Sequence, residues 1–459
     1  MIAVNHQASQ TTLTAPVHAP APYPYEQSVL ANGLRVITAA MPHTRSAAVQ
    51  FYVGVGARHE PPRLSGISHF VEHMVFKGTR RRPNPVEISE AVEGVGGSLN
   101  ASTDHEHTDY RALVPATYMS TALDVITDML RYPVFAPEDV EKERAVILEE
   151  LSSTYDSPAD IADMVFDRML WGDHPLGRDV AGTARTVRRI GREHLFDHLG
   201  RFYLPANMVI SVAGNITHEQ VLAEVERLWG DMEAGPGTGD VPRSAPAPAR
   251  VPAPPRVSGE QAGGPQVRVY RKRTEQVNLI VGVPALPYTH PMRYAQDVLD
   301  AILGGGMSSR LFVQLRENFA LAYHVSSFVK TFADVGAFGV HAAVDNDMVT
   351  LALDLIMSEL RRIKDEGVPE AELRKVKEYI KGHTLLGLER SGNVAQWAGW
   401  QQLMLGRIDS VDEALARIEA VTGQDVQSLA ATLFTAERIY LALVGPAWDV
   451  DELRAHLAV

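Results

Sequence analysis

Two tandem α+β domains, each a mainly antiparallel sheet packed with helices, are what this sequence predicts, and three observations carry the prediction. The first is internal repetition. Val49–Ala57 reads VQFYVGVGA and Val277–Ala285 reads VNLIVGVPA, with five of nine positions identical at an offset of 228. VISVAG at Val209–Gly214 matches YLALVG at Tyr440–Gly445 at an offset of 231, so the two anchors agree within three residues. The second observation is that β-branched and aromatic runs alternate with long helical patterns free of Pro. The third is a composition break at Glu233–Gln266, where Pro, Ala and Gly dominate and the stretch reads as a semi-rigid linker. The chain therefore divides into a loose tail (1–25), a first domain (26–232), the linker (233–266) and a second domain (267–459).

The tail contains no Lys or Arg before Arg35, so it lacks the charged start of a secretory signal and the Arg content of a mitochondrial transit peptide. No run approaches the roughly 18 apolar residues of a membrane span. A soluble cytoplasmic protein without membrane partners is expected. Leu34–Thr38, Ala47–Val55 and Met208–Gly214 read as strands; Thr117–Arg131, Glu138–Tyr155 and Met348–Glu366 read as helices. The 459 residues carry 43 Lys+Arg against 56 Asp+Glu, a net charge of −13 that argues against sequence-independent nucleic-acid binding and leans towards basic or neutral partners. Cysteine is absent, which excludes disulfides, thiolate metal sites and cysteine nucleophiles. Any metal must be held by His and carboxylates.

Ile67, Phe70, Val71, Met74 and Val75 recur at i, i+3, i+4, i+7 and i+8, an apolar helical stripe ending near Gly78. His69, Glu72 and His73 lie on the other side. At 3.6 residues per turn His69 and His73 project together and can hold one metal ion, while Glu72 sits about 60° around the helix. This is the H-x-x-E-H order, two imidazoles for zinc beside a carboxylate able to take a proton from an attacking water. A merely wet helix face would more usually carry Lys, Gln or several Glu, and none clusters here before Lys77. At the 228 offset the second copy has Asp297, Asp300 and Ala301, so it cannot build the same site.

Catalytic zinc usually takes a third protein ligand. The acidic helix PEDVEKERAVILEELSSTY starts with Pro137 and carries Glu138 and Asp139 in its first turn, as helix N-termini prefer. Glu143, Val146, Ile147 and Glu150 fall on one face, so Glu150 extends an apolar stripe expected to be buried, where a carboxylate needs a cation. Glu149 lies off that stripe. The same helix also reads as an ordinary Glu-rich surface helix.

These residues, His69-Phe-Val-Glu72-His73-Met-Val-Phe-Lys-Gly-Thr followed by Glu143-Arg-Ala-Val-Ile-Leu-Glu-Glu150, resemble the pitrilysin or insulinase family of zinc metallopeptidases. The length is similar to the mitochondrial processing peptidase subfamily and its bacterial relatives, and the likeness covers nearly the whole chain outside the tail and linker. The resemblance implies one Zn2+ per chain held by His69, His73 and Glu150, with Glu72 as general base and Glu143 supporting the ligands. It implies that Asn100 and Ala101, in Gly96-Gly-Ser-Leu-Asn-Ala, pair with an extended peptide through the backbone. His105 and His107 are read as structural residues alternating along a strand. In the second half, Gly304-Gly-Gly-Met-Ser-Ser-Arg-Leu-Phe lacks the Lys of a P-loop. By resemblance Arg316 and Tyr323 would close over the substrate and stabilise its oxyanion.

The function implied is a zinc endopeptidase cutting peptides or unfolded segments in extended form inside a closed chamber. The family's chamber takes four such domains and this chain supplies two. With metal residues and the Arg/Tyr pair in one chain, a homodimeric clamshell is expected and a heterodimer is the variant of it. The rival reading is a non-catalytic or partner-dependent subunit of a processing-peptidase-type heterodimer or core-protein assembly.

Overall fold

The computed structural model describes residues 24–233 and 264–459. The expected tail up to residue 23 and the linker from 234 to 263 lie outside the described residues. Six strands form the first sheet: β1 (Tyr25–Val29), β2 (Arg35–Ala40), β3 (Ser46–Val53), β4 (Ser98–Thr103), β5 (Thr108–Pro115) and β6 (Met208–Gly214), in the order β1-β2-β6-β3-β5-β4. Five form the second: β7 (Gln266–Arg271), β8 (Gln276–Ala285), β9 (Ala322–Thr331), β10 (Gly336–Asp345) and β11 (Tyr440–Gly445), in the order β7-β11-β8-β10-β9. Without β1 the two orders coincide position by position. In each sheet a single pair is parallel, β2 with β6 and β7 with β11, and the others are antiparallel. The repeat seen in the sequence is thus a repeat of topology, and the α+β class with two sheets is as expected.

Six helices position the site and its counterpart: α1 (Ile67–Val75), α2 (Pro137–Asp156), α3 (Pro158–Trp171), α4 (Arg293–Gly304), α5 (Glu370–Gly387) and α6 (Ser391–Leu405). Among the described residues no helix is long and apolar enough to cross a membrane.

Every residue of β3 after Ser46 is buried, because both faces of the first sheet are covered. That explains why the strand reads as a near-continuous apolar run rather than an alternation. One face packs on helices of the same half, Met119–Arg131 among them. The other face is covered by a helix from the opposite half. Val394, Ala395 and Ala398 of α6 pack on Ala39, Ala48, Tyr52 and Ala213 of the first sheet. In return Ile161, Ala162 and Phe166 of α3 pack on Ile280, Ala442 and Val444 of the second. Polar bonds fix α6 in place: Ser211 Oγ donates to Ala395 O at 2.7 Å and Gln50 Nε2 to Gly392 O at 2.9 Å. The approach is close enough to require glycine. A Cβ on Gly399 would lie 2.5 Å from a Tyr52 ring carbon, and one on Gly282 of β8 would lie 2.4 Å from the Phe166 ring.

Candidate metal centre

Helix α1 buries Ile67, Phe70, Val71, Met74 and Val75, which turns His69, Glu72 and His73 towards a cleft in a half-buried state. Its first turn is anchored from outside the helix. Gly66, at φ 95°, has no side chain to cap with, and a Cβ there would lie 2.4 Å from Ala181 O. Buried Glu60 supplies the cap instead, accepting from Gly66 N and Ser68 N at 2.7 Å each. Burial pushes the Glu60 carboxyl up to about 7 in spite of these two donors.

The nitrogens His69 Nε2 and His73 Nε2 face each other at 3.2 Å, and Glu150 Oε2 of α2 lies 3.5 Å from His73 Nε2 and 3.9 Å from His69 Nε2. All three ligand atoms fall within 4.8 Å of one another. His73 Nδ1 lies 3.1 Å from Glu143 Oε2, whose other oxygen is 2.6 Å from Lys77 Nζ. An Nδ1–H donated to Glu143 leaves the Nε2 lone pair of His73 aimed into the cluster. Burial, helped by His73, holds the His69 imidazole down to about 4, so it is neutral and able to act as a ligand. Two facing imidazole nitrogens with a carboxylate at the third corner form a His2Glu donor set that fits zinc.

Glu150 differs from the buried residue expected, for it is 46% exposed. The buried stripe of α2 runs through Val140, Glu143, Ile147 and Leu151, and Val146 is exposed with Glu150. Glu150 therefore flanks the stripe and opens onto the cleft. The buried carboxylate is Glu143, and its burial is compensated by Lys77 and His73. Glu149 is exposed and outside the cluster.

Glu72 accepts from Thr103 Oγ1 at 2.6 Å, and burial raises its carboxyl above the usual range against that hydrogen bond. Thr103 is the last residue of β4, the edge strand carrying Asn100 and Ala101, so the edge strand and the acid are tied together. No local signal in the sequence pointed to Thr103, Lys77 or Glu60, because their roles depend on register and loop path. His105 and His107 lie in the turn between β4 and β5, not on a strand as expected, and Asp104 N closes that turn on His107 O at 2.8 Å. His105 Nε2 meets Arg178 O at 3.2 Å and its ring packs on Phe332.

The remaining pair stands in the second half. Arg316 lies in a π-helical turn, Phe312–Asn318, with its guanidinium 4.9 Å from the Phe312 ring centroid. Tyr323 is in β9, and its side chain lies outside the described residues.

Comparison with known proteins gives two adjoining family matches: Insulinase (Peptidase family M16) over residues 35–184 and Peptidase M16 inactive domain over residues 189–380. An uncharacterized zinc protease of Streptomyces coelicolor is 38% identical over 433 residues, covering 94% of this chain and 92% of that protein. The uncharacterized zinc protease YmxG of Bacillus subtilis is 34% identical over 420 residues, covering 91% and 98%. Among solved structures, a protease from Helicobacter pylori superposes with a TM-score of 0.82 at 22% identity, covering 92% of this chain and all of that one. A Peptidase M16 inactive domain from Pseudomonas fluorescens gives the same TM-score at 16% identity, covering 92% and 98%. At those identities the structures speak to the fold alone.

Proposed function

Because the chain belongs to the insulinase family of M16 peptidases, we propose that it is a zinc-dependent endopeptidase acting on peptides or unfolded segments bound in extended form. The observation that carries this reading is the convergence of His69, His73 and Glu150 beside Glu72. Zinc bound by those three side chains supplies Lewis acidity towards the water and the scissile carbonyl.

The chain's own residues do the rest. Glu143 accepts the Nδ1–H of His73 and so keeps that imidazole in the ligating tautomer. Glu72 takes the proton of the attacking water and returns it to the leaving amine, and its raised pKa suits both directions of transfer. Thr103 keeps the Glu72 carboxylate oriented. The open side of β4 at Asn100 and Ala101 adds the substrate as a further strand, which selects extended chains over folded ones. Arg316 and Tyr323 donate to the oxyanion, reaching it from the second half of a partner in a homodimeric clamshell. The test is cleavage of a short unstructured peptide by the purified chain, with metal content measured on the same sample. Cleavage that chelation abolishes and zinc restores is the expected result; a metal-bound chain that cuts no extended peptide overturns the reading.

A further inference from the structure

The duplication produces in the second half a cleft walled by α4, α5 and α6, the counterparts of α1, α2 and α3. Helices α2 and α3 start at Pro137 and Pro158, and α5 and α6 at Glu370 and Ser391, an offset of 233 in both cases. Along α3 a cleft of the first half, separate from the His69, His73 and Glu150 cluster, is lined by Asp163, Met164, Asp167 and Arg168. Their counterparts on α6, Gln396, Trp397, Trp400 and Gln401, line a cleft of about 540 Å³ in the second half. Its other walls contain Asp297 of α4 and His383 of α5. Asp297 stands at the position of His69 by the 228 offset, and His383 at the position of Glu150 by the 233 offset. Where the first half carries metal ligands and acids, the second carries one carboxylate, one imidazole and two indoles.

The charges of the two clefts are answered differently. In the first, Lys330 Nζ lies 2.8 Å from Asp163 and 2.9 Å from Asp167. In the second, Asp297 is exposed and makes no hydrogen bond or close ion pair among the described residues, and the charge that acts on it is that of Arg293 one turn earlier on α4. Arg293 also faces the cleft, but its guanidinium is already bonded to Asp409 at 2.9 Å, Tyr294 OH at 2.7 Å and Tyr288 O at 2.8 Å. His383 stacks on Tyr379 at 5.8 Å and has no hydrogen-bond partner among the described residues. Trp400 is braced edge-on by Tyr288 at 5.3 Å, and Trp397 Nε1 donates to Asp409 O at 3.0 Å, so both indoles are fixed in orientation. The cleft walls around Asp297 push its carboxyl up to about 6 against the opposing charge of Arg293, while the side chain stays open to the cleft where an entering cation can reach it. Ammonium groups are attracted by carboxylates and by indole faces, and alkyl or aryl bodies by the apolar surface of the same rings.

We propose that the cleft between α4, α5 and α6 is a binding site for an organic cation with an apolar body, an aryl- or alkylamine whose ammonium sits on Asp297 and whose body lies against Trp397 and Trp400. The amine can arrive free or as an amino group carried on a peptide. Titrating the full chain with phenethylamine by calorimetry and tryptophan fluorescence, beside its neutral isostere 2-phenylethanol, tests this independently of peptidase activity. Saturable amine binding is expected, with the alcohol about tenfold or more weaker, the ratio a differential charge interaction of roughly 1.4 kcal/mol gives. Asp297→Asn should bring the amine down to the level of the alcohol, and Asp163→Asn, in the other cleft, should leave it unchanged. Gln396→Lys, at an exposed position, should weaken the amine and spare the alcohol, which keeps the test decisive if Asp297→Asn does not fold. Competition by a Phe-initiated peptide with a free amino terminus, lost on acetylation, identifies a peptide source; amine binding without such competition identifies a free amine. Equal affinity for amine and alcohol, undiminished binding by Asp297→Asn, loss of binding in Asp163→Asn, or no saturable binding at millimolar amine would each overturn the proposal.

Discussion

Glu72 and Glu150 flank the same two imidazoles, and their surroundings divide the work between them. Glu150 is exposed and aimed at both Nε2 atoms, whereas Glu72 is crowded, raised in pKa and bonded to Thr103. Glu72→Gln should therefore keep about one zinc per chain and lower kcat by about 10²–10⁴-fold, the usual weight of a general base. Glu150→Gln should lose the metal and Glu149→Gln should keep it, as measured by elemental analysis beside peptide cleavage. Metal loss in the Glu149 variant instead would reassign the third ligand. A second residue-scale effect concerns His198, which is buried beneath α1 and whose imidazole burial pushes down to about 3. A base with a depressed folded pKa contributes its full stability above the unfolded value near 6.5 and loses it as pH falls, by about 1.4 kcal/mol per unit. Glu60 works in the opposite sense, since a carboxyl raised to about 7 favours the fold as pH falls towards its unfolded value. The His198→Gln variant separates the two: between pH 6.5 and 5 the parent should lose about 2 kcal/mol more than the variant in urea titrations.

At the scale of elements, a nine-residue helix such as α1 is unstable alone and depends on its buried stripe and on the Glu60 cap. The stripe and the ordering of His69, Glu72 and His73 were legible in the sequence because a 3.6-residue period is local. So were β2, β3 and β6, read from their apolar runs, and β8 and β11 were marked by the repeat that matches them to β3 and β6. Periodicity says that a face is buried but not against what, so the exchange of α3 and α6 between halves left no trace in it. For the same reason Glu150 was expected under cover: it lies only about 60° round α2 from buried Ile147, and that small rotation carries it from the buried stripe to the cleft wall. The bond from Thr103 to Glu72 depends on how β4 lies beside α1, which no spacing encodes. The exchanged helix also makes a quantitative contrast. Gly399→Ala forces a Cβ against Tyr52 and Ser211 and should destabilise by about 1–3 kcal/mol. Gly392→Ala on the same helix meets nothing within 4 Å and should be neutral or stabilising by about 0.5–1 kcal/mol. Thermal melts of the two variants check the pair, and equal effects would mean that α6 is not seated on the first sheet.

At the scale of the whole molecule, the metal cluster stands in the first half and Arg316 and Tyr323 in the second, so a clamshell dimer would share each active site between chains. His69→Ala and Arg316→Ala homodimers should both be inactive, while a mixed dimer should regain one good site. With full subunit exchange about half the dimers are mixed and about a quarter of parental site density should return, by two-fold symmetry. Co-expression with different affinity tags checks this; no recovery in confirmed mixed dimers would mean that Arg316 acts within its own chain or not at all. The reciprocal seating of α3 and α6 bears on how the chain is made. When β6 has been synthesised the first sheet has all its strands, yet the helix that covers its second face lies some 180 residues further along the chain. At roughly 5–20 residues per second that interval is on the order of ten to forty seconds, during which an apolar sheet face is open to water and to other nascent chains. The second face of the first sheet stays uncovered until the other half exists, so truncation after residue 233 should yield a fragment that aggregates, as light scattering of the purified fragment would show.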